Sequence, residues 1–568
     1  MVAEQFTWGS SRLALRFEWG EDAPVRVAGI VRGDRATDLH ALPLVEVATA
    51  ASGHRPAADR LAHTRLGELL RHTGHAETRT AAGRVLTIEQ AAEGLRATTA
   101  IELLDAADGA IRARTTITAD GTVQVLRSVA TWTMGFTRTG GGDHDDDDFA
   151  AWHRVNGVSD WFGEGRWTRT PLRGNDFPRL STELAGGDHD PRGHWSATSD
   201  GTWSTGHHLP VAGVETDGLA FAWQIEHNGA WRWELGEDLR GGYVSLSGPT
   251  DTDHAWTRVL HPGESFTTVP AAVTAGDDFT GAVAALTAFR RAARRPHPDN
   301  AAMPVVFNDY MNTLNGDPTT EKLLPLIAAA ANVGAEIFCI DAGWYDDSGD
   351  WWPSVGEWRP STTRFPGGLG EVIDAIRGHG MVPGLWLEPE VIGVNSPMAD
   401  RLPPEAFLQR HGQRIAEHQR YHLDLRHPAA VAHLDGVVDR LVAEFGIGFF
   451  KFDYNINPGP GTDRDADSVG DGLLEHNRAH LAWLDGVLDR HPGLVVENCS
   501  SGAMRMDFAV LSRLAMQSTS DQQEFTKYPP IAAAAPIALL PEQAASWAYP
   551  QPGMNEEEAA FCLVTGLL

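Results

Sequence analysis

The sequence predicts a multidomain chain, an N-terminal β-sandwich followed by an α/β (β/α)8 TIM barrel that lacks its last strand within these residues. Three observations carry this prediction. Short runs alternating apolar and polar residues fill the first half. The second half repeats a continuous apolar strand followed by an amphipathic helix, and these strands end in acids, amides or tryptophans. At 568 residues the chain also exceeds what one hydrophobic core organises.

The sandwich is read over residues 1–275. SRLALRFEW, AIRARTTITAD, TVQVLRSVATW and LAFAWQIEH alternate with period two and are separated by Gly, Asp and Asn turns. Trp132, Trp152, Trp161, Trp167, Trp203, Trp223 and Trp231 recur through it and are read as sandwich core, the common place for a large aromatic, ahead of a sugar-contacting surface. DDFTGAVAALTAFRRAARR then has helical periodicity, with acids at its start and arginines at its end, as the helix dipole favours. It is read as a linking helix over 276–300, closed by Pro296 and Pro298.

The barrel is read over 301–568. Its strands in order are MPVVFND, EIFCIDAGW, VPGLWLEPE, YHLDL, GFFKFDYN, LVVENCSSG and LAMQSTSD, with helices such as TTEKLLPLIAAAANVG, VAHLDGVVDRLVAEFG and LLEHNRAHLAWLDGVLDRH between them. Apolar strands separated by helices mean a parallel sheet covered on both faces. A doubly wound open sheet would carry a Gly-rich phosphate turn after its first strand, and NDYMNTLNGDP has none. NEEEAAFCLVTGLL reads as a helix, so the barrel is expected to be truncated before its eighth strand or closed from elsewhere, since an open barrel leaves an unpaired edge.

Composition narrows the function. The chain is 42% hydrophobic and 21% charged, and no apolar run approaches the roughly 18 residues of a membrane span. A net charge of -30 disfavours nucleic acid and leaves a small neutral partner as the better fit. MVAEQFTWGSSRLALRF lacks the basic start and apolar core of a secretion signal, and Cys339, Cys499 and Cys562 are too sparse for a disulfide framework, so a cytoplasmic location is expected. GGGDHDDDDF, over Gly140–Phe149, lacks the ligand spacing of a calcium loop and reads as a solvated segment. With no HExxH, CxxC or Walker pattern either, neither a metal nor a nucleotide cofactor is expected.

The chemistry concentrates in KFDYN. Period two puts Lys451, Asp453 and Asn455 on one face at a strand end, where barrels build their sites. A lysine beside Asp453 would keep its carboxylate ionised, as a nucleophile requires. Lys451 is one of only three lysines in a chain that otherwise uses arginine, so a compact donor is read as needed here. Asp521, in QSTSDQQ, ends the seventh strand, the next-but-one neighbour of the fifth. Paired carboxylates without a metal are the signature of glycosyl transfer.

NDYMNTLNGDPTTEKL, FCIDAGWYDDSGDWWPSVGEWRPSTTRFPGGL, GLWLEPE, KFDYN, ENCSSGAMRMDFAVLSR and QSTSDQQ together resemble glycoside hydrolase family 36, the melibiase-like α-galactosidases of clan D. The resemblance covers essentially the whole chain, apart from a further β-sheet domain that family members carry after the barrel. It implies a retaining exo-α-galactosidase working on small oligosaccharides by double displacement, with Asp453 as nucleophile and Asp521 as acid/base. For that stereochemistry the two carboxylates should lie roughly 5–5.5 Å apart. It also implies a sugar pocket of Asp341, Trp386, Arg420, Lys451, Cys499, Ser501 and Gly502, with Trp386 as a flat wall, and a homo-oligomer. Alternatives are a transglycosylase of the same mechanism, an α-N-acetylgalactosaminidase, a β-L-arabinopyranosidase and a non-catalytic sugar-binding relative. Two departures stand out. Many relatives have two adjacent aspartates where this chain has Asp341 and Ala342, and NDYMN replaces a tryptophan-bearing first-strand motif. Losing one acceptor bears on the C6 end of the sugar.

Overall fold

A computed structural model describes residues 4–55, 59–138, 148–174, 176–178, 193–238 and 240–567. Of the acidic run read as a solvated segment, residues 140–147 lie outside these.

The alternating runs of the first half become antiparallel strands. Among the described residues they form a four-stranded sheet from Glu4 to Asp38, a six-stranded sheet and a ten-stranded sheet. The two larger sheets share one apolar core, in which Trp223 of one meets Trp233 of the other edge to face, with ring centroids 5.3 Å apart. Trp132, Trp152, Trp223 and Trp231 are buried there, as read from the sequence. Trp161 is not: it is 53% exposed.

The linking segment is a helix, α1 (Phe279–Ala293), capped by the Asp278 side chain accepting from the Gly281 amide, with Arg290 and Arg291 in its last turn. Arg290 is buried, donating to Gln224 in the sheet region and to the Ile537 carbonyl in the second half, so the helix ties the two together.

The second half is a curled, all-parallel sheet of seven strands among the described residues: β1 (Val306–Asn308), β2 (Ile337–Ile340), β3 (Val382–Leu387), β4 (Phe449–Phe452), β5 (Val495–Asn498), β6 (Met516–Ser518) and β7 (Ala544–Ala545), hydrogen-bonded in that order. Helices α2 (Thr320–Asn332), α3 (Leu369–Gly378), α4 (Pro428–Phe445) and α5 (Val469–Arg490) connect successive strands. NEEEAAFCLVTGLL forms α6 (Glu556–Leu567), as expected.

Two corrections follow. YHLDL is not a strand of this sheet: Arg420–His422 pairs antiparallel with Val391–Gly393 in a small excursion, while β3 pairs directly with β4. Three apolar residues between polar ones satisfy a local hairpin as readily as a buried parallel strand, and periodicity does not separate the two. KFDYN therefore closes the fourth strand and QSTSD the sixth, still next-but-one neighbours. The seventh member is Ala544–Ala545, a two-residue strand too short to show a pattern. Among the described residues β1 and β7 do not pair with each other, so the sheet is a half-barrel rather than a closed cylinder. No helix among them is long and apolar enough to cross a membrane.

Candidate active site

The C-terminal ends of β1 to β6 bring their polar residues to one mouth. β4 ends at Phe452, and Asp453 follows with its backbone nitrogen still bonded to the Leu387 carbonyl, which holds the carboxylate at the rim of the sheet. Donors converge on it: the Trp386 indole N–H on Oδ2 at 3.1 Å, the Tyr454 amide on Oδ1 at 2.8 Å and the Ser501 amide on Oδ1 at 3.3 Å. Burial alone would raise the Asp453 pKa. The positive charge of Lys451 and hydrogen bonds from Asn455, Trp386 and Tyr454 overcome it and hold the carboxyl below its usual range.

Lys451 does this at a distance. Its Nζ sits 3.1 Å from Asp341 Oδ2, not on Asp453, so the adjacency in sequence does not make the ion pair. Parallel register explains it: Lys451 stands on β4 opposite Trp386 of β3, and its side chain reaches across β3 to the end of β2. Asp341 also receives Asn308 Nδ2 at 2.6 Å and the Ala342 amide at 2.8 Å. Beneath it Asp309 Oδ1 accepts the Asp341 amide at 2.7 Å. Burial, with the Asp341 charge adding to it, pushes the Asp309 pKa up to about 8.

Trp386 differs from its expected role. It is 1% exposed, with Tyr345 parallel at 6.2 Å and Trp351 and Trp358 edge-on, so it presents an N–H to Asp453 rather than a flat wall. Arg420 is likewise fully buried, paired with Glu388 and stacked 3.5 Å over Trp352. Glu388 Oε1 accepts the Asn455 amide at 2.8 Å, and Asn455 Oδ1 accepts the Ser501 hydroxyl at 2.8 Å, so Arg420 supports the site through this chain. Cys499 is a buried thiol whose pKa burial pushes well up, with the Asp453 charge adding and the Lys451 charge opposing. Gly502 has a positive φ of 75°, and a Cβ there would stand 2.8 Å from the Asp521 amide nitrogen, so no other residue fits this turn.

Asp521 follows β6 and is almost buried. Burial raises its pKa to about 6, with the Lys451 charge opposing, the Asp453 charge adding and a hydrogen bond from Trp161 opposing. The mouth thus holds one carboxyl pushed down and one pushed up, the arrangement that separates an ionised group from a proton donor.

Several residues at the mouth were not singled out from the sequence as parts of a site. Trp161 comes from the N-terminal region, and its indole N–H donates to Asp521 Oδ2 at 3.1 Å while its ring stacks on Phe162 with centroids 4.0 Å apart. Glu164 accepts the Ser520 hydroxyl at 2.6 Å. Trp547, just past β7, holds Ser518 at 2.8 Å, and Lys451 Nζ lies 5.2 Å from its ring centroid. SDWFGEG is a visible signal, an aromatic pair between turn residues outside any alternating run, but nothing local states which strand end it covers.

The profile of the Melibiase family matches residues 266–542. Among curated relatives, the α-galactosidase Mel36A of Lactobacillus acidophilus is 24% identical over 294 residues, covering 51% of this chain and 40% of its own length. An α-galactosidase of Escherichia coli is 29% identical over 233 residues, covering 40% of this chain and 31% of its own length. The matched part is thus well under half of each of these relatives. The crystal structure of the family 36 α-galactosidase AgaA from Geobacillus stearothermophilus superposes with a TM-score of 0.80 at 17% identity, covering 99% of this chain and 82% of that one. AgaB from the same organism gives 0.79 at 17% identity, covering 100% and 86%. The chain therefore joins the fold of solved glycoside hydrolases to a pair of carboxyls at the strand ends. Residues 266–542 thus carry the Melibiase profile, and the chain has the fold of the family 36 α-galactosidases AgaA and AgaB.

Proposed function

We propose that the protein is a retaining exo-α-galactosidase that removes terminal α-D-galactosyl residues from small oligosaccharides or glycosides. The observation that carries this is the opposite pKa displacement of two carboxyls at one mouth, Asp453 held low and Asp521 raised to about 6. Asp453 attacks the anomeric carbon while Asp521 passes its proton to the departing oxygen, leaving a β-linked glycosyl-enzyme. Water then gives a proton to Asp521, attacks the same carbon and frees Asp453. Asp341, backed by Lys451 and Asn308, accepts from sugar hydroxyls. Trp386, Arg420, Asn455, Cys499, Ser501 and Gly502 shape the pocket or hold the two acids. The relatives named α-galactosidase and the structure of AgaA in complex with raffinose support the substrate class. A sandwich over 1–275, a linking helix over 276–300, a catalytic half-barrel over 301–568, a homo-oligomeric state and a cytoplasmic location belong to the same proposal.

Ala342 favours a second reading. It fills, with a buried methyl, the place of the second aspartate, which removes one acceptor and opens the site to a β-L-arabinopyranoside or an α-N-acetylgalactosaminide. Incubation with aryl α-galactoside, α-N-acetylgalactosaminide and β-L-arabinopyranoside separates the readings. NMR of the first-formed anomer reports retention, and product analysis at high substrate reports transfer. Release of galactose in the α configuration is expected. Release from none of the three would favour a sugar-binding relative, and inverted product would refute the double displacement.

A further inference from the structure

The strap Ser159–Gly165, which joins two strands of the N-terminal sheets, is hydrogen-bonded to Ser520, Asp521 and Gln522 at the half-barrel mouth. Trp161 Nε1 donates to Asp521 Oδ2 at 3.1 Å, Ser520 Oγ donates to Glu164 Oε2 at 2.6 Å, and Gln522 Nε2 donates to the Phe162 carbonyl at 2.9 Å. Ser520 Oγ also accepts the Gln522 amide at 2.9 Å, so one hydroxyl couples Glu164 to both sides of Asp521. Within the strap, Ser159 Oγ accepts the Gly165 amide at 3.1 Å and closes the loop on itself.

Glu164 is the unusual member. It is a carboxyl 2% exposed, and among the described residues no arginine or lysine is bonded to it and its buried Oε1 has no hydrogen bond of normal geometry. Oε1 faces Gly502, where a Cβ would stand 3.0 Å away, and the same Cβ would meet the Asp521 amide. Burying an unpaired carboxylate is costly, whereas a protonated carboxyl here accepts from Ser520 on one oxygen and carries its proton on the other. Burial raises its pKa to about 7, and the nearby Asp521 charge adds to it.

Resting on the reading of Asp521 as acid/base, we propose that Glu164 is a positioning residue for it. A carboxyl from the N-terminal region fixes, through its hydrogen bond with Ser520, the turn that aims the Asp521 proton at the leaving oxygen. The N-terminal sheets are then part of the proton-transfer apparatus and not only a support.

The test uses the full chain with Glu164→Ala, Glu164→Gln and Ser520→Ala, the last keeping a variant available if Glu164→Ala does not fold. kcat/KM is measured on raffinose, whose leaving group needs a proton, and on 2,4-dinitrophenyl α-galactoside, whose leaving group does not. Glu164→Ala and Ser520→Ala are expected to lose about tenfold or more on raffinose and less than about threefold on the dinitrophenyl glycoside. Glu164→Gln, neutral and of the same shape, is expected to restore the raffinose value to within about threefold. Equal losses on both substrates, or no loss on raffinose, would overturn the proposal. A crystal structure of Glu164→Ala reads it without any turnover: the Trp161–Asp521 hydrogen bond is expected to break, and its retention would overturn the proposal. If the wild-type chain releases sugar from neither substrate, the proposed function fails and this structural arm still decides the role of Glu164.

Discussion

Lys451 Nζ lies 3.1 Å from Asp341 Oδ2, and the carboxylate whose pKa it lowers, Asp453, is held instead by Trp386. The lysine therefore does two jobs at two places. It neutralises the buried Asp341 and sets the electrostatic potential at Asp453.

Lys451→Met separates them. Removing the lysine leaves Asp341 buried without its ion pair, at a cost of about 3 kcal/mol, and Asp341→Asn in the same chain is expected to recover most of it in thermal unfolding. Asp453 is ionised more readily when Lys451 is present, so its pKa rises in Lys451→Met. The acid limb of kcat/KM then moves to higher pH. Lys451→Arg is expected to fold and to lose activity, because the guanidinium is too large for the space between Asp341 and Trp547.

The two acids are told apart by azide. Asp453→Ala is expected to lose about four orders of magnitude, with azide restoring turnover as the β-galactosyl azide. Asp521→Ala is expected to lose about 10²–10⁴-fold on poor leaving groups, with azide yielding the α-galactosyl azide. The same azide anomer from both variants would contradict the assignment.

The basic limb of the wild-type profile is expected near pH 6, where Asp521 loses its proton. The Trp161 indole bonds to that carboxyl and favours its ionised form. Trp161→Phe removes the bond, raises the Asp521 pKa and moves the basic limb to higher pH.

Acid stability is set behind the site. His227, His422 and His480 are buried neutral, with burial lowering each pKa from 6.5 to about 3. Between pH 6.5 and about 3 the unfolded chain binds these protons and the folded chain does not, so stability is full above pH 6.5 and falls with pH through that window. Thermal unfolding followed by circular dichroism should show it, with a shallower fall in His422→Gln.

Much of this was written in local pattern. Alternation marked the N-terminal strands, a capped amphipathic run marked α1, and apolar strands between helices marked a parallel sheet with its site at the strand ends. KFDYN and QSTSD were legible as strand ends because each puts charged residues directly after an apolar run, and the structure brings both to one mouth. YHLDL was misread as a parallel strand because three residues carry too little period to distinguish a hairpin. Ala544–Ala545 was missed for the same lack of signal.

The sequence by itself determined which residue types gather at the mouth, since strand order and period two place them there before any folding detail is known. Only the tertiary structure decided which group touches which. Lys451 pairs with Asp341 because β2, β3 and β4 lie side by side in register. Trp386 gives an edge and not a face because three aromatics from other segments enclose it. Trp161 reaches Asp521 and Glu164 reaches Ser520 from 360 and 356 residues away in the chain, and no local pattern encodes a contact of that separation.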